Sequence, residues 1–263
     1  MPYMEKGYVI EHKQLSDKLY EIEFICPNIS FECEPGQFVH IKTGINNEPL
    51  LRRPFSLYDV DKQLGSIKLL YRIVGRGTTL MTNIKTKESI DVMGPLGKGF
   101  SVPKSPKKVL LVGGGVGIAP LVYLSRVLKK HQCSVIVLHG AGNRRQLVAF
   151  DKLREIGAEF MPATDDGSCG FKGPVTELLV KKIDVGQIDY IYTCGPEPMM
   201  AAVAEFAEEK GIPGEVSLEE YMACGVGACL GCARKLKAQD PDYKKVCKDG
   251  PVFSIKDVEL FKN

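Results

Sequence analysis

The chain has 263 residues, 44% of them hydrophobic, with nine cysteines, no tryptophan and a net charge of +3 spread along its length. That length suits two domains and a small appendage, each able to bury a core. No basic stripe with interleaved aromatics argues for nucleic acid as a partner. The first residues contain no apolar signal core, and no later segment reads as a membrane span. A soluble cytoplasmic protein is expected, with its odd number of cysteines serving as reduced thiols and metal ligands.

The first hundred residues read as short strands between turns. Apolar and polar residues alternate over 18–24, 36–41 and 66–74, which predicts a small antiparallel barrel. Within it lies Arg52-Arg53-Pro54-Phe55-Ser56-Leu57. An arginine before an extended Pro-x-Ser run can grip phosphate as a fork, although such a run is also an ordinary strand edge. Arg52 is expected to be solvated. After the third strand, Val74-Gly75-Arg76-Gly77-Thr78-Thr79 reads as a glycine turn, a threonine N-cap and a helix start. Its free N–H groups could seat a pyrophosphate, or this is simply a capped helix.

An arginine-x-x-serine strand followed by a Gly-Thr helix start resembles the flavin domain of the ferredoxin-NADP reductase superfamily. The resemblance implies that Arg53 and Pro54 lie along bound FAD, with Arg53 on its phosphates. It also puts Phe55 against the flavin, Ser56 near the flavin N5 edge, and Gly77 and Thr78 on the pyrophosphate. Leu70, Tyr71 and Arg72 would line the adenine and ribityl side. Many members carry tyrosine where this chain has Phe55, which removes a hydroxyl. Met93-Gly94-Pro95-Leu96-Gly97 closes the barrel as that superfamily does, and residues 103–108 read as a linker.

Strand and helix then alternate: strands over 108–113, 134–139, 158–163, 189–193 and 214–218, helices over 119–130 and 146–156, and a last helix ending by 210. Continuous apolar strands between amphipathic helices predict a parallel sheet covered on both faces, with ligands beyond the strands' carboxyl ends. Gly113-Gly114-Gly115-Val116-Gly117-Ile118-Ala119-Pro120 opens the first helix, with Pro120 where G-x-G-x-x-G has its last glycine. Alone, that turn is weak support for a dinucleotide site. Together with Cys194-Gly195-Pro196-Glu197-Pro198 after the later strand, it resembles the nicotinamide-nucleotide domain of the same superfamily. Gly114, Gly115, Gly117, Gly195 and Pro196 would then hold the nucleotide, with Cys194 near the nicotinamide, although Cys194 reads equally well as a buried thiol. Asp166 after the third strand of this domain favours an adenosine ribose, hence NAD over NADP. Arg144 and Arg145 argue the other way. His12, His40, His131 and His139 show no metal-ligand spacing, and Cys26, Cys33, Cys133 and Cys169 read as packing thiols.

The third module carries Cys224, Cys229, Cys232 and Cys247 at the spacing C-x4-C-x2-C-x14-C, with Gly225, Gly227 and Gly231 among them. This matches the plant-type [2Fe-2S] ligand pattern, in which a glycine-rich loop wraps the cluster. Structural zinc is one alternative, although it more often takes two similar short knuckles, and disulfides or spare core thiols are another.

Glu219-Glu220-Tyr221-Met222-Ala223-Cys224 and Cys247-Lys248-Asp249-Gly250-Pro251-Val252-Phe253 resemble the electron-transfer subunit of class 1B dihydroorotate dehydrogenase, and the resemblance spans essentially the whole chain. It implies a multidomain protein: an N-terminal antiparallel β-barrel FAD domain (1–102), an α/β parallel-sheet NAD domain (103–218) and a small C-terminal [2Fe-2S] cluster domain (219–263). It implies a flavin that converts between the hydride pair of NAD and the single electrons of the cluster. No substrate-oxidising site is evident. The partner implied is a catalytic subunit carrying FMN and the dihydroorotate site, in a heterotetramer with two of each chain. Two other readings stand beside this one: a related reductase subunit serving ferredoxin, sulfur compounds or hydrogenase, and a nucleotide-binding redox-sensing adaptor without turnover.

Overall fold

The computed structural model describes residues 2–44, 48–105, 107–237 and 243–261. The N-terminal part contains β1 (Tyr3–Ser16), β2 (Leu19–Ile25), α1 (Pro27–Glu32), β3 (Phe38–Lys42), β4 (Arg53–Asp61), β5 (Ser66–Arg72), α2 (Arg76–Met81) and β6 (Ser89–Leu96). Its strands form a closed antiparallel barrel in the order β1-β2-β5-β4-β3-β6. Closure leaves no unpaired sheet edge. The interior is filled by alternate residues, Ile22 and Phe24 from β2, Val39 and Ile41 from β3, Leu57 from β4, and Ile67 and Leu69 from β5. The long β1 was not legible as a strand. It pairs with β6 through its first half and with β2 through its second, and its register shifts near Val9 and again near Gln14.

The helix α2 starts one turn earlier than expected. Gly75 is its N-cap and Thr78 its third residue. The Thr78 hydroxyl accepts the N–H groups of Val74 at 2.9 Å and Gly75 at 3.2 Å, so threonine braces the turn from inside the helix.

The second part runs β7 (Lys108–Gly114), α3 (Ile118–Lys130), β8 (Ser134–Ala141), α4 (Phe150–Ile156), β9 (Glu159–Thr164), β10 (Phe171–Lys172), α5 (Val175–Lys182), β11 (Tyr190–Cys194), α6 (Glu197–Glu209) and β12 (Gly214–Ser217). The expected helix over 146–156 begins only at Phe150, because a 3-10 turn over Arg144–Gln146 precedes it. The strand at β10 and the helix α5 were not anticipated. Side chains alternate between the sheet's faces: Val109 and Leu111 pack with α3, and Leu110 and Val112 pack with α5 and α6. The chain adds β8, β9 and β10 on one side of β7 and then returns to place β11 and β12 on the other. The point where the order reverses lies at the carboxyl ends of β7 and β11, where open α/β sheets bind ligands.

The last part contributes β13 (Ala233–Lys235), β14 (Tyr243–Lys245) and β15 (Val252–Ser254). It is not an appendage on a tether. The strand β15 pairs antiparallel with β12 and completes a seven-stranded sheet. Cys232, Val246, Cys247, Ile255 and Val258 share one hydrophobic cluster with α5, α6 and Phe38 of the barrel. The barrel is locked to the sheet as well. Asp59 binds Arg126 and Lys152, each at 2.6 Å, and the Tyr192 hydroxyl donates to the Ser101 carbonyl at 2.7 Å. Among the described residues no helix is long and apolar enough to cross a membrane.

Candidate functional site

Two clefts and one cysteine loop meet where the three parts join. The first cleft, about 300 Å³, lies between β4, β5 and α2 on the barrel side and the segments after β7 and β12 on the other. Arg53, Pro54, Phe55, Ser56, Leu70, Tyr71, Arg72 and Thr78 all line it. Gly77 stands just behind: a Cβ there would be 2.8 Å from the Arg53 Nε, so the bare glycine lets the guanidinium lie against the start of α2.

The two arginines divide as charge partners dictate. Arg52 pairs with Asp91 at 2.9 Å and also donates to the Asp91 carbonyl, so it is a fixed part of the barrel rather than a solvated side chain. Arg53 donates only to the carbonyls of Leu51 and Arg52 and has no ion pair among the described residues. Its charge is available to an anion in the cleft. Phe55 meets Tyr71 edge-on at 5.9 Å, and the Tyr71 hydroxyl is anchored by His12 at 2.8 Å, so the apolar wall is rigid. The buried Thr43 hydroxyl beside Gly77 has no hydrogen-bond partner among the described residues. A guanidinium without an acidic partner among the described residues, a buried hydroxyl free to donate and an aromatic wall fit a phosphate-bearing flavin.

The second cleft, about 390 Å³, is lined by Gly114, Gly115, Gly117, Gly195 and Pro196. The turns after β7 and β11 approach so closely here that side chains are excluded. A Cβ on Gly117 would lie 2.5 Å from the Gly195 Cα and 2.7 Å from the Cys194 carbonyl oxygen. The buried His139 holds the turn from behind, its Nε2 donating to the Gly115 carbonyl at 3.0 Å, and burial keeps the ring neutral with a pKa lowered to about 4. Cys194 is buried and lines neither cleft; burial first, then the charge of Glu219, pushes its thiol pKa up. Asp166 is also outside the cleft, in a turn pinned to the end of β8 by Asp165 N–H donating to the Ala141 carbonyl. Its carboxylate accepts from the Ser168 N–H at 2.9 Å, and its pKa is lowered by Ser168.

Arg72, Val74, Val116, Leu218 and Glu219 line both clefts, which therefore share a wall. Glu219 and its neighbours Leu218, Glu220 and Met222 were missed in the sequence. Glu219, Glu220 and Met222 stood in the segment that carried the family resemblance, but nothing in it marked them as cleft-lining. Glu219 reaches solvent through the clefts, and desolvation by the surrounding walls raises its carboxyl pKa.

The cysteine loop leaves this shared wall within a few residues. Backbone N–H groups point at its sulfurs: Ala228 at 3.3 Å and Cys229 at 3.4 Å donate to Cys224, Gly227 at 3.2 Å to Cys247, and Cys247 at 3.4 Å to Cys232. Burial opposes the Cys224 thiolate, but N–H groups of Val226, Cys229 and Ala228 outweigh it and draw the pKa down to about 6. Among the described residues no three His, Cys, Asp or Glu side chains are placed to hold a single metal ion. The sulfurs lie instead in contact pairs, Cys224 with Cys229 and Cys232 with Cys247. N–H groups aimed at thiolate sulfurs suit an iron–sulfur cluster, whose negative charge they offset.

Comparison with known proteins agrees part by part. Residues 6–100 match the oxidoreductase FAD-binding domain family, residues 111–205 the oxidoreductase NAD-binding domain family, and residues 219–259 the iron-sulfur cluster binding domain of dihydroorotate dehydrogenase B. The chain is therefore an oxidoreductase subunit for FAD, NAD and an iron–sulfur cluster, and the zinc alternative for the cysteines gives way. It is 44% identical over 235 residues to the dihydroorotate dehydrogenase B (NAD(+)) electron transfer subunit of Desulforamulus reducens, covering 89% of this chain and 90% of that one. It is 41% identical over 263 residues to the subunit of the same name from Fusobacterium nucleatum subsp. nucleatum, covering 98% and 99%. Among solved structures, a chain of the NADH-dependent reduced ferredoxin-NADP oxidoreductase superimposes with a TM-score of 0.85 at 30% identity, covering 98% of this chain and 91% of that one. With this identity sustained from end to end, the chain belongs to the family of dihydroorotate dehydrogenase B (NAD(+)) electron transfer subunits.

Proposed function

We propose that the chain relays electrons from an FMN-containing dihydroorotate dehydrogenase catalytic subunit, through a [2Fe-2S] cluster and FAD, to NAD+ in pyrimidine biosynthesis. The observation that carries this reading is the wall common to the two clefts, from which the cysteine loop departs. Bound FAD supplies the exchange between paired and single electrons that neither nicotinamide nor cluster can perform alone.

The residues of the chain do the holding. Arg53 and Thr78 take the flavin's phosphates, Phe55 and Tyr71 pack its apolar surface, and Ser56 presents a hydroxyl to its N5 edge. The interlocked turns at Gly114, Gly115, Gly117, Gly195 and Pro196 would hold the nicotinamide nucleotide against the same wall. Asp166, beyond the carboxyl ends of β8 and β9, takes the adenosine ribose, which selects NAD by repelling a 2′-phosphate. Cys224, Cys229, Cys232 and Cys247 hold the cluster, with backbone N–H groups offsetting its charge. Cys194 supports the turn beneath the nicotinamide from the core.

The partner is the catalytic subunit, two of each chain forming a heterotetramer in the cytoplasm. The isolated chain should reduce artificial acceptors with NADH and fail to oxidise dihydroorotate until the catalytic subunit is added. Dihydroorotate turnover by this chain alone would refute the division of labour. Copurification with a ferredoxin-, sulfur- or hydrogen-converting subunit instead would favour the related reductase assembly, to which the 30% identical structural relative points.

A further inference from the structure

The barrel strand β3 carries a buried histidine, His40. His40 is completely buried, and among the described residues neither ring nitrogen has a hydrogen-bond partner. It sits opposite Pro54 in the β3–β4 ladder and meets Phe38, which lines the flavin cleft, at 5.6 Å with the rings tilted by 55°; His40 itself does not line that cleft. Its other neighbour is the cysteine loop. Gly225, the residue after Cys224, adopts φ +70° and packs on the ring so tightly that a Cβ would lie 2.8 Å from His40 Cε1 and 3.0 Å from Nδ1. The ring thus occupies the layer between the flavin cleft and the cysteine loop.

A neutral imidazole has one N–H to donate, and a buried donor needs an acceptor. On the barrel side Phe38 and Met93 are apolar, Pro54 belongs to the ladder, and the nearby charges, Arg52 and Arg53, are donors only. The remaining direction is the loop that holds the sulfurs. We propose that His40 donates its ring N–H to a sulfur atom of the [2Fe-2S] cluster, sulfide or ligating thiolate, and so sets the potential at which the cluster exchanges electrons with the flavin. A donor to sulfur favours the more negative reduced form and raises the potential. This rests on the four cysteines holding the cluster, as read above.

The test uses the full chain loaded with FAD and cluster, grown with ¹⁵N-histidine. Pulsed EPR on the dithionite-reduced cluster should reveal in the wild type a histidine ¹⁵N coupling and an exchangeable proton that disappears in D₂O. His40→Leu should lose both and lower the cluster potential by about tenfold in the one-electron equilibrium, ~59 mV. His40→Gln, which keeps a donor, should recover part of the shift. Iron, acid-labile sulfide and FAD per chain serve as controls for assembly. A wild-type cluster without histidine coupling, or a His40→Leu cluster with wild-type potential and spectra, overturns the proposal. If His40→Leu does not assemble, the wild-type coupling alone decides. A wild-type chain with no cluster at all overturns the iron–sulfur reading beneath it.

Discussion

Arg234 of β13 forms an ion pair with Glu197, the first residue of α6. The same guanidinium reaches Glu220 at 2.7 Å and lies over the Phe261 ring at 4.7 Å, and the Phe261 N–H donates back to Glu197 at 2.9 Å. Glu197 lines the nucleotide cleft and Glu220 the flavin cleft, so one cation ties the cysteine-bearing segment to both. Only 12% of the Arg234 side chain is exposed.

Arg234→Ala therefore leaves two partly buried carboxylates facing each other. The expected cost is about 3 kcal/mol, by analogy with breaking a buried pair. Limited proteolysis should release the segment after residue 218 faster, and iron should be lost. Arg234→Lys should recover less than half, because an ammonium cannot fork to both acids.

The turns at Gly117 and Gly195 have no room for a methyl group. Gly117→Ala should raise the KM for NADH more than tenfold, about 1.4 kcal/mol or more. FAD per chain should remain that of the wild type, because the flavin cleft does not include this residue. Steady-state kinetics with an artificial acceptor would measure the first and absorbance the second.

The neighbouring arginines should behave oppositely on substitution. Arg53→Ala should release FAD during gel filtration, whereas Arg52→Ala should keep FAD and lower thermal stability through the stranded Asp91 carboxylate. Equal FAD loss in both would mean that the phosphate role is not specific to Arg53.

Cluster-free protein should show one unusually acidic thiol. With its pKa near 6, Cys224 is roughly nine-tenths thiolate at pH 7, against about a hundredth for an ordinary thiol. Iodoacetamide labelling mapped by mass spectrometry should rise at Cys224 through pH 6 and level off above it. Lowering the pH below 6 should protect the residue. Burial pushes the thiols of Cys26, Cys33 and Cys194 up, so these should stay unlabelled across the range.

The sequence carried the parts of this site whose chemistry is local. Cysteine spacing, the Arg53 to Ser56 run and the glycine turns after β7 and β11 are short motifs, and each was readable without its surroundings. Placement that depends on distant pairing was not. Nothing in Val252–Ser254 announces a strand completing the sheet, because three residues acquire that role only against β12. Thr78 was misplaced by one helical turn because a threonine at an N-cap and one bracing it from the third position have the same neighbours in sequence. His40 had no ligand spacing to mark it, and only the packing of Gly225 makes it conspicuous. Glu219 opened a recognised segment, but its place on the wall of both clefts depends on how that segment packs against the barrel and the sheet.

The central claim is that nucleotide, flavin and cluster communicate within this one chain. Anaerobic NADH added to the isolated, FAD- and cluster-loaded protein, followed by absorbance and EPR, tests it most directly. The account predicts flavin bleaching accompanied by the signal of a reduced [2Fe-2S] cluster, with the signal absent in Cys247→Ser. Flavin that bleaches while a dithionite-reducible cluster never receives an electron from NADH would contradict it.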